Sequence, residues 1–285
     1  MFVSIIIPTH NRASLLPRAI NSVLTQTYTN FEIIIVDDGS NDNTQQVCQN
    51  FINENQNIKY IKNENSVGGA EARNIGMRQA KGEIIAFLDD DDEWLPQKLE
   101  KQIEIFKQNP EVGIVGTNYY WIDVEKNETK KINLCQNQSF KTLLLENTLG
   151  SFSFNAIRKS LFEKHGGIRP DMKSSQDWHF WLKLAPNTKI KISDDYLVKY
   201  YNYSGDSNRI SSSTDRAIES RKKVLQDYSN QMSFLVKLKH KLWILQRRNY
   251  IYKKIDTKII KALTYRFFKY SHNILQKILR SIYIK

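Results

Sequence analysis

Short apolar runs that end on polar or acidic residues recur through the first part of this chain, and they leave little choice of fold. Residues 3–7 run into Pro8-Thr9-His10-Asn11-Arg12, and residues 31–36 run into Asp37-Asp38-Gly39-Ser40. Residues 83–88 run into Asp89-Asp90-Asp91-Asp92. Continuous apolar runs of this length suit strands buried on both faces. The intervening segments have helical spacing. Leu16, Ile20, Val23 and Leu24 share one face, and Asp42 is placed to cap a helix that turns Val47 and Phe51 inward. Residues 69–80 read as a helix, and Pro96 suits the first turn of another that buries Leu99, Ile103 and Phe106. Further strands are expected at 58–61 and from Gly113 to Thr117. Strands spaced by helices imply right-handed crossovers, and so an α/β fold with a mostly parallel sheet flanked by helices.

Beyond residue 123 the pattern loosens. A Lys/Asn/Glu-rich stretch to 138 reads as an exposed hairpin or loop, 151–157 as a strand, 177–184 as a helix and 196–203 as a strand. Residues 204–213, rich in Ser, Asn and Gly, read as a flexible loop, and everything from Thr214 onward as helical.

Charge separates the same regions. The 285 residues carry a formal charge of +12, yet residues 221–285 alone hold 17 Lys and Arg against two acids, Asp227 and Asp256. That segment contributes +15, so the first 220 residues sum to about −3. The charge comes with no nucleic-acid recognition motif, which argues against a nucleic-acid partner. Cys48 and Cys135 lack metal-ligand spacing, as expected of free thiols in a reducing compartment. No stretch approaches the roughly 18 apolar residues of a membrane span. The expected location is the cytoplasm, or the inner face of the cell membrane as a peripheral protein.

Four adjacent aspartates at the end of a buried strand repel one another. The arrangement makes chemical sense if a hard divalent cation such as Mg2+ or Mn2+ shares their oxygens. Open α/β sheets bind ligands outside the carboxyl ends of their strands. The strand ends at 8–12, 37–40 and 89–92 would therefore line one crevice. Singly, each is as well read as a polar turn; three on one rim point to a metal-assisted site for a phosphorylated substrate. Gly68-Gly69-Ala70-Glu71-Ala72-Arg73-Asn74 forms a fourth constellation.

The order of these motifs resembles family 2 glycosyltransferases of the GT-A fold. The resemblance is carried by residues 3–12, Ser22-Val23-Leu24-Thr25-Gln26-Thr27-Tyr28, residues 31–40, residues 68–76 and residues 80–92. It is strong to about residue 110 and weaker to about 205. It implies a Rossmann-like nucleotide-sugar-binding part at 1–110, an acceptor side at 111–213, and a basic amphipathic helical extension at 214–285 outside the family domain.

The resemblance further implies sugar transfer from a nucleotide diphosphate donor, UDP-linked by preference, with inversion at the anomeric carbon. Asp38 matches the position that hydrogen-bonds the base, and Pro8, Thr9, His10 and Asn11 lie along the nucleotide. The Asp-x-Asp element maps to Asp89-Asp90-Asp91. In an extended stretch Asp89 and Asp91 face one side, and the resemblance implies Asp91 as main metal ligand, with Asp89 or Asp90 near the ribose or in the metal's outer shell. Asp92 is left to begin the next helix. Arg73 is either a further positive charge for the donor or a helix-surface ion pair. The general base that inversion requires maps to Asp177 in Ser174-Ser175-Gln176-Asp177-Trp178-His179-Phe180-Trp181, where Gln176 stands in place of the family's usual Glu. Trp178 and Trp181 are candidates to stack on a sugar, although their spacing equally suits core positions. His165 and His179 have no metal spacing and read as structural.

In the tail, Leu235, Leu238, Leu242 and Leu245 share a face, with Ile260, Leu263, Phe267, Ile274 and Ile278 continuing the spacing and Lys237, Lys239, Lys241, Arg247 and Arg248 around them. A cationic amphipathic helix of this kind can lie on an anionic membrane, pack on the catalytic domain, or pair two copies as a homodimer. The expected acceptor is a glycan or lipid-linked glycan in bacterial surface polysaccharide or capsule biosynthesis. Two competing readings are a sugar-phosphate nucleotidyltransferase, which would want a Gly-rich phosphate loop after the first strand, and a non-catalytic glycan- or membrane-binding module.

Overall fold

The computed structural model describes residues 1–203 and 213–253. Its sheet begins with the expected apolar strands: β1 (Val3–Thr9), β2 (Phe31–Asp37), β3 (Ile58–Lys62) and β4 (Ile84–Phe87). Every residue of β1, β2 and β4 is buried, as runs without alternation require. The helices α1 (Leu16–Leu24), α2 (Thr44–Glu54) and α3 (Gly69–Gln79) connect them. The strand order is β3-β2-β1-β4, parallel throughout, so the carboxyl ends of β2, β1 and β4 lie side by side.

Beyond β4 the sheet becomes mixed, with β5 (Glu93–Trp94), β6 (Val112–Asp123), β7 (Glu128–Ile132), β8 (Ala156–Arg158) and β9 (Lys189–Asn202). Strand β8 pairs antiparallel with both β4 and β6, and β9 runs parallel to β6 with β5 antiparallel at its far side. Strand β7 folds back on β6 as the exposed hairpin expected from its polar composition. Helix α4 (Lys98–Gln108) buries Leu99, Ile103 and Phe106 and packs on β6 and β9.

Local details depart from the sequence reading. Asp42 does not occupy the cap position of α2, which falls on Asn43. Its Oδ1 nonetheless accepts from the Thr44 N–H at 3.0 Å and its Oδ2 from Ala13 N at 3.0 Å. The strand expected at 151–157 is a single 3₁₀ turn, Phe152–Phe154, followed by the short β8, because Ser151 caps the turn through Ser153 N. Strand β9 starts well before residue 196.

The remaining helices are α5 (Phe140–Leu145), α6 (Lys159–His165), α7 (Gln176–Leu184), α8 (Thr214–Tyr228) and α9 (Phe234–Lys253). The last two are separated by a 3₁₀ turn at Ser229–Gln231 rather than forming one continuous helix. They extend the single apolar core through Val224, Met232 and Val236. The inward face of α9 carries Val236, Lys239, His240 and Ile244, not the leucine stripe. Lys239, expected on the polar surface, is buried and pairs with Glu146 at 3.3 Å. The loop expected at 204–213 falls outside the described residues except for Ser213, as do the tail positions from Ile260 to Ile278.

Candidate active site

The first two strand ends form one hydrogen-bonded unit. The His10 ring donates through Nδ1 to the Asp38 carbonyl at 2.7 Å, which leaves Nε2 to accept from Asn11 Nδ2 at 3.1 Å. Asn11 adopts a left-handed backbone, φ 53°, that Asn tolerates better than most residues. Its N–H donates to Ser40 Oγ at 2.8 Å, and its Oδ1 accepts from Asn41 N at 2.8 Å. The Asp38 N–H donates to the Thr9 carbonyl at 2.8 Å. Pro8 pairs with Val36 in the β1–β2 register and lies past the last β1–β4 pair, Ile6 with Phe87.

Asp38 is buried and fully engaged. Its Oδ1 accepts from Asn63 Nδ2 at 2.9 Å and Val67 N at 2.8 Å, and its Oδ2 from Ser66 Oγ at 2.7 Å and Gly68 N at 2.8 Å. Burial raises its pKa, but these four donors win and hold the carboxyl below the usual range. They fix the 63–68 loop that leads into α3. A contact from Asp38 to a nucleotide base would require one of these donors to be given up.

The four aspartates form a turn, not an extended stretch, because the Asp92 N–H bonds back to the Asp89 carbonyl at 3.0 Å. The alternation of faces expected for Asp89, Asp90 and Asp91 therefore does not apply. Asp89 is held on both oxygens: Arg73 Nη2 pairs with Oδ1, and Ser151 Oγ donates to Oδ2 at 3.0 Å. Its own N–H donates to Ser153 Oγ at 3.0 Å. Arg73 is thus no surface ion pair. It is buried on α3, also donates to the Gly69 carbonyl at 2.9 Å, and lies over the Phe152 ring at 4.5 Å.

Asp91 faces Arg12 at 3.8 Å, and its carbonyl accepts from Arg18 Nη2 at 2.5 Å. Asp92, expected to begin a helix, instead precedes β5 and is fully buried, with Oδ1 accepting from Tyr201 N at 3.4 Å and Oδ2 without a partner. Burial first, and the negative charge of Asp91 and Asp89 second, push its carboxyl well above the ordinary range. Burial and Asp91 likewise push Asp90 up to about 7.

Among the described residues, no group of three or more His, Cys, Asp or Glu side chains is arranged to hold a metal unaided. Mg2+ and Mn2+ at nucleotide sites take one or two carboxylates together with phosphate oxygens and water. The hard oxygens of Asp91 fit that smaller demand, whereas both Asp89 oxygens are engaged by Arg73 and Ser151, and one would have to be released to join a metal.

Asp177 lies in the first turn of α7, whose cap residue Ser175 is in a left-handed conformation, φ 50°. Its Oδ1 accepts from Trp178 N at 2.7 Å and its Oδ2 from Asn147 Nδ2 at 3.1 Å. Burial and, less strongly, the charge of Asp89 raise its pKa, the Trp178 N–H, Arg73 and Asn147 lower it, and the balance lies at about 6. Asp177 therefore lies within electrostatic reach of the Asp89–Arg73 pair, although 88 positions separate it from Asp89 in sequence. Gln176 uses an amide that a Glu would lack, donating to the Met172 carbonyl at 2.9 Å. It also adds no second negative charge beside Asp177.

Trp178 and Trp181 are both buried, with their indole N–H groups donating to Leu143 O at 2.7 Å and Gly150 O at 3.1 Å, so core packing and not sugar stacking accounts for them. His179 pairs with Asp227 at 2.9 Å, away from the aspartates. The site residues that sequence reasoning missed are Asn147, Ser151 and Ser153, single polar positions in an irregular segment with no periodic signal.

The carboxyl ends of β2, β1 and β4 bring carboxylates and arginines side by side, with Asp177 linked to them through the 147–151 segment, and the architecture is that of the GT-A fold. The family model described as Glycosyl transferase family 2 matches residues 4–166, and the chain belongs to that family. An uncharacterized glycosyltransferase of Haemophilus influenzae is 36% identical over 197 residues, 67% of this chain and 66% of the relative. The UDP-Glc:alpha-D-GlcNAc-diphosphoundecaprenol beta-1,3-glucosyltransferase WfgD of Escherichia coli is 32% identical over 238 residues, 79% of this chain and 86% of that protein. Among solved structures, S. aureus TarS 1-349 in complex with UDP-GlcNAc superposes with a TM-score of 0.68 at 22% identity, covering 87% of this chain and 72% of that one. At that identity the likeness is one of fold.

Proposed function

We propose that this protein transfers a sugar from a nucleotide diphosphate donor, UDP-linked, to a hydroxyl of a glycan or lipid-linked acceptor, with inversion at the anomeric carbon. The observation that carries this reading is the joining of Asp177 to the Asp89–Arg73 pair through one short segment, in which Asn147 bonds Asp177 and Ser151 bonds Asp89. One wall of the crevice supplies groups for a departing diphosphate, and the other supplies a carboxylate poised to take a proton. The acceptor hydroxyl loses its proton to Asp177 as its oxygen bonds to the anomeric carbon. The bond from that carbon to the diphosphate oxygen breaks, and the nucleoside diphosphate leaves with the electron pair.

A Mg2+ or Mn2+ ion held by Asp91, with Asp89 in support, would offset the charge that develops on the leaving diphosphate. Arg12, on Asp91, fixes that wall of the crevice, and Arg73 anchors Asp89. The UDP-GlcNAc of the TarS complex and the UDP-Glc donor and diphosphoundecaprenol-linked acceptor named for WfgD support the choice of donor and acceptor classes.

Association with an anionic membrane belongs to the same proposal. Among the described residues, no helix is long and apolar enough to cross a membrane. Helix α9 nevertheless exposes Phe234 by 76% and Leu245 by 43%, beside the exposed cations Lys241, Arg247 and Arg248. An apolar edge flanked by cations suits the headgroup region of a bilayer.

The test is a panel of UDP-, GDP- and TDP-sugars incubated with and without Mn2+ or Mg2+, with nucleoside diphosphate release as readout. Metal-dependent release from at least one UDP-sugar supports the proposal. Release only from the other donors overturns the UDP assignment, and release from none in the presence of candidate acceptors overturns the transferase.

A further inference from the structure

Between α5 and β8 the segment 146–155 contains no regular element apart from one 3₁₀ turn, yet its polar side chains bond to both walls of the crevice. Asn147 Nδ2 donates to Asp177 Oδ2 at 3.1 Å. Four residues on, Ser151 Oγ donates to Asp89 Oδ2 at 3.0 Å, and Ser153 Oγ accepts from Asp89 N at 3.0 Å.

The segment between these contacts is internally braced. Asn147 exchanges bonds with Gly150, donating to its carbonyl at 3.3 Å and accepting from its N–H at 3.1 Å. The same carbonyl receives the Trp181 indole of α7 at 3.1 Å. Gly150 has φ +65°, and a Cβ there would lie 2.8 Å from the Phe154 ring, so only glycine fits without displacement.

We propose that Asn147 is a positioning residue for Asp177, and that with Ser151 it forms a strut fixing the base relative to Asp89. The inference rests on the assignment of Asp177 as base. An amide N–H can donate to a carboxylate but cannot take its proton, so Asn147 favours the ionised form and occupies one side of Oδ2. With Trp178 N on Oδ1, the carboxylate is held at both oxygens and cannot rotate away from the acceptor hydroxyl. The charged groups that also bear on Asp177 are Asp89 and Arg73, which pair with each other.

The experiment measures kcat, donor KM and the pH profile of kcat/KM for the full chain carrying Asn147→Leu, Asn147→Asp or Asp177→Asn. Replacing the donor is expected to lower kcat about tenfold to a hundredfold while donor KM stays within about threefold. The acidic limb of kcat/KM should move up by about one pH unit in Asn147→Asp, where a second carboxylate faces the base. Thermal melting and donor KM report whether each variant is folded, and the near-isosteric Asn147→Asp serves if Asn147→Leu is not. A wild-type kcat and pH profile in Asn147→Asp, with Asp177→Asn inactive, overturns the role of Asn147 alone. Full activity of Asp177→Asn overturns the assignment of the base beneath it.

Discussion

Arg73 on α3 reaches across to Asp89 at the end of β4 and pairs with Oδ1 of its carboxylate. The same guanidinium also bonds the Gly69 carbonyl and lies over Phe152. Three geometrically distinct contacts by one planar group predict that Arg73→Lys is not conservative. An ammonium on a flexible stem cannot make them together. Nucleoside diphosphate release should fall about tenfold or more, and wild-type kinetics in Arg73→Lys would remove Arg73 from the site.

The pH dependence follows from Asp177. Its carboxyl is raised to about 6 by burial and by Asp89, and the base must be ionised to accept a proton. The rate should therefore be near its plateau at pH 7 and above. Below pH 6, kcat/KM should fall about tenfold per pH unit. An acidic limb centred near the ordinary carboxylate range would mean that this group does not limit the reaction.

Asp38 organises the 63–68 loop through four hydrogen bonds, so Asp38→Asn turns two acceptor positions into donors that face other donors. Stability at neutral pH is expected to fall by about 2 kcal/mol, with donor binding weakened as well. The folded-state pKa is lowered, so the wild-type contribution is present above the unfolded value of 3.8 and lost as the pH drops through the folded one. The stability gap between wild type and Asp38→Asn, measured by denaturant unfolding, should accordingly narrow in acid. A gap that is constant with pH would contradict this.

Lys98 is fully buried on α4, its Nζ has no hydrogen-bond partner, and the Nζ lies over the Trp94 ring at 3.5 Å. Burial pushes its pKa well down. The ring contact offsets only part of the cost of burying an ammonium. Lys98→Met is expected to raise stability by about 1 kcal/mol or more, read as a higher midpoint in urea. A clear loss of stability would show that the ammonium has an internal partner, such as bound water.

Membrane association is tested by floating the full chain with liposomes, with and without an anionic lipid. Wild type should float only with the anionic vesicles. Phe234→Ser combined with Lys241→Gln, Arg247→Gln and Arg248→Gln should stay at the bottom of the gradient. Equal flotation of the two proteins would exclude this face of α9.

The donor half was legible because β1, β2 and β4 are buried on both faces and so appear as continuous apolar runs with their polar ends in register. The motifs at Pro8, Asp38 and Asp89 stand out as polar ends of apolar runs, whereas Asp177 is reached only through the family resemblance of its segment. The bonds between them could not be read in this way. Asn147 and Ser151 act through an irregular segment whose conformation depends on Gly150 and on α7, and neither leaves a period in the sequence. The turn at Asp89–Asp92 was misread as extended because one backbone bond, Asp92 N to Asp89 O, decides it. The burial of Lys239 in helix α9 is not legible from its spacing, because it depends on partners from α5 and its C-terminal end, with Glu146 pairing Lys239 and Leu144 bonding the neighbouring His240.

The central claim is a division of labour, with Asp91 serving the leaving group and Asp177 the attack. It is tested most directly by nucleoside diphosphate release with donor and acceptor present, comparing wild type, Asp91→Ala and Asp177→Asn at saturating Mn2+. The account predicts metal-dependent release by the wild type and a loss of about a hundredfold or more in each variant, with both still folded. Release at the wild-type rate by both variants would contradict it.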